Sequence, residues 1–452
     1  MAQASSLLLL PALAPSSPSS SFKSAYKITF ESLLPKLVPA DKESTSRLDI
    51  GLVLSPSYPL STNSSRATVF PLIQNLLKKT YSLICSVAAQ QEIDLDFPGG
   101  IDVRIFILEA RLDGLPESIV GKQYLSGPIV DIKTFALSDR SYTALFSVEG
   151  EAQEASLQQV IRIWNSKSNP PPLPPIHRLQ SGPAIVHPES SSRNPSEPVI
   201  EDGPLTIHRS VAVGGTFDHL HIGHKLLLTA TILTAEPAQS PSPNPKESRL
   251  ITVGITGDEL LVNKKYGSLV EHWDVRQQRT AEFIDSILAF YPRKSSTSTA
   301  PTATANSLST TEYIDEPGPN GKVVRVKYQF PNSPTISAST NMADMTINYT
   351  QISDPFGPTI TDPDITALVI SAETRSGGKA VNDKRTERGW KALEVFEVDV
   401  LDAGVGLDDD DDDGDLTEDA PGKEEQKKGF ETKISSTEIR KRLQNRAPTI
   451  HQ

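Results

Sequence analysis

The sequence predicts an α/β protein with a parallel sheet, and three patterns support this prediction. Short runs rich in β-branched and aromatic residues alternate with stretches whose apolar residues recur at helical spacing. A Pro/Ser-rich segment divides the chain into two regions, and the alternation is clearest in the second. Strands that alternate with helices indicate a parallel sheet with helices on both faces.

The first region has the weaker pattern and predicts a smaller α/β domain. Strands are expected in "DIGLVLS" (49–55) and "IDVRIFILEA" (101–110), with a helix in 67–91 between them. We find no catalytic constellation in this region, so a structural or docking role is the expectation.

The second region begins with a strand, "RSVAV" (209–213), that enters a Gly-Gly turn. A helix is expected to begin near Ile222 and to end before Pro237. The strand "RLITVGI" and a helix over 273–291 follow. Later strands are expected in "KVVRVKYQ", "ITALVIS" and "LEVFEVDVL".

The domain boundaries follow from composition. Ser and Pro dominate the N-terminus and the dividing segment, and three polar tracts interrupt the second region where surface insertions are tolerated. We expect a disordered tail over residues 1–26, an α/β domain over 27–165, a linker over 166–205, and a second α/β domain over 206–452 with insertions near 236–248, 293–311 and 402–429.

Charge and cysteine content exclude several classes of function. The net charge of −12, with 44 Lys and Arg against 56 Asp and Glu, argues against nucleic-acid binding as the main role, although the aspartate run 408–413 holds part of it. The single cysteine, Cys85, excludes an intramolecular disulfide and a multi-cysteine zinc site. No apolar run is long enough to span a bilayer. We expect a cytoplasmic protein, with mitochondrial targeting by the Ser-rich N-terminus as the alternative.

The segment "GGTFDHLHIGHKLLL" (214–228) holds three histidines at the entry to a helix. They could bind a metal, fill a core, or donate hydrogen bonds to phosphate. Ligands of parallel α/β sheets bind where strands lead into helices, and helix N-terminal amides favour anions. No Cys or acidic partner set for a metal is evident nearby, so phosphate binding is the favoured interpretation.

A second motif, "ISSTEIRKRL" (434–443), also predicts a helix start. Ser435 and Glu438 form a capping box, Ser436 and Thr437 add hydroxyls, and Arg440 lies one turn later. Such a helix start can hold the far end of a triphosphate. An ordinary capped surface helix is the alternative.

Together these two segments resemble the signature of the nucleotidyltransferase superfamily, G-T-F-D followed by H-x-G-H, and then I-S-S-T-x-x-R. The intervening chain resembles the archaeal and eukaryotic type of phosphopantetheine adenylyltransferase, including that domain of CoA synthase. The matching segments are D-P-F-G-P (354–358), S-x-E-T (371–374), a Gly-Gly pair and N-x-x-R (382–385). The resemblance covers roughly residues 211–443.

The resemblance implies a Rossmann-like parallel sheet and a reaction in which ATP and 4'-phosphopantetheine give 3'-dephospho-CoA and pyrophosphate. Mg²⁺ would enter with ATP, with no tightly bound cofactor and no protein-held metal. His224 would stabilise the transition state, assisted by His221. The remaining residues implied to bind ATP are Gly215, Thr216, Phe217, Ser435, Ser436, Thr437 and Arg440.

The resemblance also implies a set of residues that bind the acceptor substrate. Thr216 would lie where the two substrates meet, and Lys264 or Lys265, with Lys264 preferred, would bind the acceptor phosphate. The others are Glu373, Thr374, Arg375, Asn382 and Arg385. Arg375 is displaced by one position from the family pattern, and Asn382 and Arg385 could instead stabilise the adjacent helix.

Two rival functions remain open. The chain could be another adenylyl- or cytidylyltransferase of the superfamily, or a nucleotide-binding scaffold subunit that assembles other enzymes of CoA synthesis. No G-x-x-x-x-G-K-[ST] segment is present, so we expect the adenylyl step only, with the dephospho-CoA kinase as a separate protein.

Overall fold

The computed structural model contains one parallel and one mixed sheet, one in each region of the chain, and is an α/β fold as predicted. An N-terminal unit (5–182) and a C-terminal unit (206–446) are named here after those sheets. The structure describes residues 5–15, 17–54, 58, 65–109, 127–167, 169–182, 206–236, 248–290, 309–315, 321–330, 344–399, 401 and 435–446.

The N-terminal unit has a six-stranded, entirely parallel sheet in the order β4-β3-β2-β1-β5-β6. Four helices accompany it. The elements are β1 (Ser5–Pro11), α1 (Ser19–Leu37), β2 (Ser46–Leu54), α2 (Arg66–Gln90), β3 (Ile101–Glu109), β4 (Ile129–Asp131), α3 (Ile132–Leu137), β5 (Ala144–Val148), α4 (Glu151–Asn165) and β6 (Ile176–Leu179).

The prediction of a disordered tail over residues 1–26 is wrong for the described part of that range. Strand β1 lies between β2 and β5, and residues 7–10 are all buried. A strand covered on both faces is a continuous apolar run, here "LLLL", and lacks the alternation that marks a half-exposed strand. Residues 19–26 belong to α1, which packs Phe22 and Tyr26 into the core.

The C-terminal unit has a seven-stranded sheet in the order β13-β12-β7-β8-β11-β10-β9. Its first five strands in that order are parallel, and β10 and β9 add an antiparallel edge. The elements are β7 (Ser210–Gly215), α5 (Ile222–Thr234), β8 (Arg249–Thr256), α6 (Trp273–Leu288), β9 (Ser309–Ile314), β10 (Val323–Tyr328), β11 (Met345–Ile352), β12 (Ala367–Ser371), α7 (Arg375–Glu387), β13 (Glu394–Val398) and α8 (Ser436–Arg446).

The two units share a hydrophobic core. Helix α2 packs against α5, and one cluster of buried side chains includes residues of both helices. At a second contact Phe290, which follows α6, packs edge-on against Phe106 of β3 with ring centroids 4.9 Å apart. The N-terminal unit is therefore part of the same packed body as the C-terminal unit.

The predicted linker over 166–205 is also partly wrong. Within it, β6 pairs with β5, and the backbone N–H of Gly182 donates to Ala25 of α1. The rest of that segment (183–205), most of each predicted insertion and the aspartate run lie outside the described residues. No helix in the described part of the chain is both long and apolar enough to cross a bilayer.

The burial of β1 leads to a stability prediction. Leu8 is fully buried in the central strand. We expect Leu8→Ala to lower the free energy of unfolding by about 3 kcal/mol, because it removes apolar contact and leaves a cavity. Val38→Ala, at a site that is 43% exposed, is the matched control and should cost less than about 0.5 kcal/mol. Thermal unfolding measures both, and equal stability of the two variants would contradict a buried β1.

Candidate functional site

The predicted site lies at the topological switch point of the C-terminal sheet. The strand order reads β11-β8-β7 in one direction and β12-β13 in the other, so the connections from β7 and β12 leave toward opposite sides. A crevice opens outside the carboxyl ends of two such strands, and ligands of open α/β sheets bind there. The loop after β7 (216–221) and the first turn of α5 carry the histidines, and the S-x-E-T segment follows β12.

The loop between β7 and α5 has an unusual backbone. Phe217 and His219 have positive φ angles of 50° and 45°. The Phe217 ring is fully buried against Gly215, where an added Cβ would come within 2.9 Å of it. Gly215 therefore has to be glycine for this turn to close. Left-handed backbone at non-glycine residues is costly and concentrates at functional sites.

His221 and His224 are brought together by the first turn of α5. Their rings stack with centroids 3.9 Å apart and an interplanar angle of 26°. His221 is the N-cap residue and makes no side-chain cap hydrogen bond. The Nδ1 atoms of both rings are buried and have no hydrogen-bond partner among the described residues. Two polar atoms of this kind, next to a helix N-terminus, are available to a ligand.

Burial keeps both of these histidines uncharged. Desolvation lowers the pKa of His221 well below its ordinary value, and the neighbouring His224, Lys225 and His219 lower it further. Burial is also the largest cause that lowers the pKa of His224 to about 3, with His219 adding to it. The pair can therefore donate and accept hydrogen bonds at neutral pH without carrying charge.

The third histidine of the cluster is bound elsewhere. The Nε2 atom of His219 lies 2.8 Å from the carbonyl of Leu269, and its backbone N–H donates to Glu271 at 2.9 Å. The three imidazoles thus have different environments. Within the described residues, no group of three or more His, Cys, Asp or Glu side chains is arranged to hold a metal ion.

Helix α8 is docked directly onto this loop, so the two sequence motifs meet. The Arg440 guanidinium donates to the Asp218 carboxylate at 2.7 Å, and both side chains are buried. The Ser436 hydroxyl donates to the Asp218 backbone carbonyl at 2.7 Å. The second oxygen of that carboxylate accepts the backbone N–H of Glu271 at 2.9 Å. Asp218 therefore joins three segments that are far apart in sequence.

The N-terminus of α8 begins as the capping box predicts. The Ser435 hydroxyl accepts the backbone N–H of Glu438 at 3.3 Å, and Thr437 is exposed. Arg440 donates to the Thr437 hydroxyl at 3.1 Å. Arg440 is thus an internal tether of the loop and the helix, whereas Ser435 and Thr437 remain at the surface of the helix start.

A buried arginine that holds the site together, Arg276, was not predicted from the sequence. Arg276 of α6 is fully buried and donates to the backbone carbonyls of Thr216, Thr256 and Glu271 at 2.6 to 2.8 Å. It also pairs with the Asp258 carboxylate at 2.6 Å. A signal was present in the sequence, because the spacing of α6 places this arginine on the apolar face of the helix.

Most of the residues predicted to bind the acceptor substrate are more exposed than the two motifs. Lys264 and Lys265 are exposed on the loop after β8. Glu373 and Thr374 are exposed after β12, and the Thr374 hydroxyl donates to the Ser371 carbonyl at 3.0 Å. Arg375 points to Glu397 of β13, with Nε 2.7 Å from a carboxylate oxygen. In this structure Arg375 is therefore held at the edge of the crevice by an exposed ion pair.

Asn382 and Arg385 lie within α7, and both bind nearby backbone groups in this structure. The Asn382 amide exchanges two hydrogen bonds with the backbone of Leu393, at 2.8 and 3.0 Å. Arg385 is 1% exposed and directs all five of its N–H donors to backbone carbonyls. Because none of the Arg385 donors is left for a substrate, the ligand contact implied for Arg385 is corrected to a structural role, and the contact implied for Asn382 stays a prediction.

Comparison with known proteins finds a family match and a solved structure that aligns with part of the chain. Residues 1–185 match a family described as "Domain of unknown function (DUF8446)". A solved structure titled as a protein of unknown function from Archaeoglobus fulgidus aligns with 42% of this chain and 89% of its own at 22% identity. Its TM-score is 0.24.

Curated relatives include proteins named phosphopantetheine adenylyltransferase. A phosphopantetheine adenylyltransferase of Saccharomyces cerevisiae is 31% identical over 237 residues, covering 52% of this chain and 49% of that protein. An uncharacterised protein of Schizosaccharomyces pombe is 30% identical over 46% of this chain and 45% of its own. A phosphopantetheine adenylyltransferase of Pyrobaculum aerophilum is 26% identical over 44% of this chain and 84% of its own. The chain spans about half the length of the two yeast relatives.

The buried pair predicts how α8 is held. Arg440→Met leaves the fully buried Asp218 carboxylate without its cation, and we expect it to weaken docking of α8 by about 3 kcal/mol. Adding Asp218→Asn should restore part of that loss. Hydrogen exchange of the α8 amides measures the docking. The matched control is Arg442→Met on the same helix, whose partly exposed pair with Asp94 is worth less than about 1 kcal/mol. Equal effects of the two variants would contradict the tether.

The lowered pKa values predict that His221 and His224 do not titrate near neutral pH in the folded protein. We expect the imidazole resonances of His221 and His224 to stay constant from pH 8 to pH 5 in nuclear magnetic resonance spectra, because both rings stay neutral. In unfolded protein they should titrate near the ordinary value of about 6.5. A pKa depressed by folding stabilises the fold fully above pH 6.5, and that stability is lost as the pH falls toward 3. Titration of both rings near pH 6.5 in folded protein would contradict their burial.

Proposed function

We propose that this protein transfers the adenylyl group of ATP to 4'-phosphopantetheine, which gives 3'-dephospho-CoA and pyrophosphate. The observation that supports it most strongly is the junction at Asp218, which joins the H-x-G-H loop to the serine-headed start of α8. Two helix N-termini next to one loop provide amides for one polyphosphate. The names of the yeast and archaeal relatives support the choice of acceptor.

In the proposed reaction an oxygen of the pantetheine phosphate attacks the α-phosphorus of ATP. The bond from that phosphorus to the bridging oxygen breaks, and pyrophosphate leaves with the electron pair. The enzyme forms no covalent bond, so it contributes orientation and donors for the growing negative charge. Mg²⁺ would arrive bound to the triphosphate.

The proposed roles follow from the position of each group. His224 would donate a hydrogen bond to the α-phosphate, and His221, stacked on it, would assist. The charge of the incoming phosphates would raise the pKa of both rings and strengthen their donation. Ser435 and Thr437, with the first amides of α8, would hold the leaving pyrophosphate. Lys264 would bind the acceptor phosphate from the loop after β8.

A screen of substrate pairs tests the proposal. The protein is incubated with ATP or CTP and with phosphopantetheine, nicotinamide mononucleotide or phosphocholine, and pyrophosphate release is measured. We expect release only with ATP and phosphopantetheine. Release with CTP, or with another acceptor, would assign the chain to a rival transferase, and no release with any pair would contradict the proposed function.

A variant of His224 tests its proposed role. We expect His224→Ala to lower kcat by about 100- to 1,000-fold, since it removes a donor to the transition state. His177→Ala is the matched control, because His177 is exposed on β6 in the other unit and should leave kcat unchanged. Circular dichroism establishes that both variants fold. A normal rate in His224→Ala would overturn this mechanism.

A further inference from the structure

A short stretch of the N-terminal unit, residues 94–102, contacts the candidate site and is named here the acidic segment. It contains Asp94, Asp96 and Asp102 and leads into β3. Its carboxylates contact both helices of the site, α5 through Lys225 and α8 through Arg442.

Lys225 directly follows His224 and is 3% exposed. Its ammonium group donates to the Asp96 carboxylate, to the Asp102 carboxylate at 2.5 Å and to the Val103 carbonyl at 3.2 Å. These three bonds use all of its donors. Every other residue of α5 beyond the first turn is buried too, so this lysine is a charged group inside a largely apolar interface.

The buried charges balance one another. Asp102 also accepts a hydrogen bond from Arg104 at 2.7 Å, so two cations face two anions. Burying a charge is tolerated when its partners compensate it, and removing one partner alone is strongly destabilising. The network thus fixes the position of Lys225 relative to β3 of the N-terminal unit.

Asp96 lies next to the start of α5 itself. Burial is the largest cause that raises its pKa to about 6, and Asp102 raises it as well. The charge of Lys225 and the backbone N–H of Ile222, the first residue of α5, lower it. The carboxylate therefore contacts the same helix end that carries His221 and His224.

The acidic segment has a preformed shape. Asp96 has a φ of 58°, and its backbone N–H donates to the Ile101 carbonyl at 3.0 Å. Ile101 donates in turn to Asp94 at 3.0 Å. A Cβ added to Gly100 would lie 2.3 Å from the Asp94 carbonyl, so only glycine fits there. This rigidity allows the segment to fix the position of Lys225, which it binds.

A second contact from the same segment reaches α8. Arg442 lies 3.2 Å from the Asp94 carboxylate. This pair is partly exposed and contributes little stability by itself. It shows that one stretch of the N-terminal unit lies against both helices whose N-termini form the candidate site.

We propose that Asp96 and Asp102 are positioning residues that act through Lys225 to fix the start of α5, and with it His221 and His224. The N-terminal unit then contributes to the geometry of the nucleotide site. The proposal rests on the proposed function for its activity readout. It predicts that loss of the network lowers kcat while the KM for ATP changes little, because the phosphate-binding amides remain and only the alignment is lost.

The main test variant is Lys225→Met with Asp96→Asn. It keeps the side-chain volumes and leaves Asp102 paired with Arg104, so no charge is left unbalanced. We expect kcat to fall by about 10- to 100-fold, the cost of a displacement of about 1 Å. Asp96→Asn alone, which leaves Lys225 bound to Asp102, should give a smaller loss.

Arg140→Met is the matched control. Arg140 also joins the two units from a site that is 13% exposed, pairing with Asp49 at 3.0 Å and donating to the Ala289 carbonyl at 3.1 Å. That contact lies at the far end of α6, about 20 Å along the helix from Arg276. We expect Arg140→Met to lower the melting temperature while leaving kcat unchanged.

The outcomes separate this proposal from the function itself. A folded double variant with normal kcat, or an equal loss of kcat in Arg140→Met, would overturn the positioning role. If the wild-type protein released no pyrophosphate with any substrate pair, the proposed function would fail. The ¹⁵N resonances of His221 and His224 would then decide: the proposal requires them to shift in the double variant and not in Arg140→Met, and unchanged resonances in both would refute it.

Discussion

The candidate site depends on one buried ion pair, between Asp218 and Arg440. The two residues are 222 positions apart, and the carboxylate also binds the backbone of Glu271. Helix α8 has only eleven residues and few apolar ones, so it would be marginal as an isolated helix. A fully buried carboxylate needs its cation, and this requirement fixes the helix against the loop. Without the pair, α8 would lose the buried contact that holds the second motif against the loop of the first.

The charges around the site follow a common arrangement. Arg440, Arg276 and Lys225 are buried cations, and each is compensated by aspartate: Asp218, Asp258, or the pair Asp96 and Asp102. They hold backbone and helices in place. The groups left for a ligand are neutral imidazoles, hydroxyls and helix amides. Donors fixed in advance need no reorganisation when charge develops, which suits displacement at phosphorus.

The sequence predicted the C-terminal sheet well, because its strands and helices alternate and carry clear periodicity. It failed at β1, where a buried parallel strand in Ser-rich surroundings resembled a tail, and at β9 and β11, which were not predicted. The motif residues His221, His224 and Ser435 could be singled out because short-range spacing reveals them, and their roles stay predictions. Asp218, Arg276 and the acidic segment were missed as structural partners, since their roles depend on contacts between distant segments. Arg385 shows the converse error: a motif position can serve backbone carbonyls alone.

The two units, with their shared core and acidic segment, form one support for a single polyphosphate site in this account. The most direct test is a crystal structure of the full chain with Mg²⁺ and a non-hydrolysable ATP analogue. The account predicts that the α-phosphate lies within about 3 Å of the His224 ring while the terminal phosphates contact Ser435 and the first amides of α8. A nucleotide bound away from the crevice between β7 and β12, or one that touches only one of the two motifs, would contradict it.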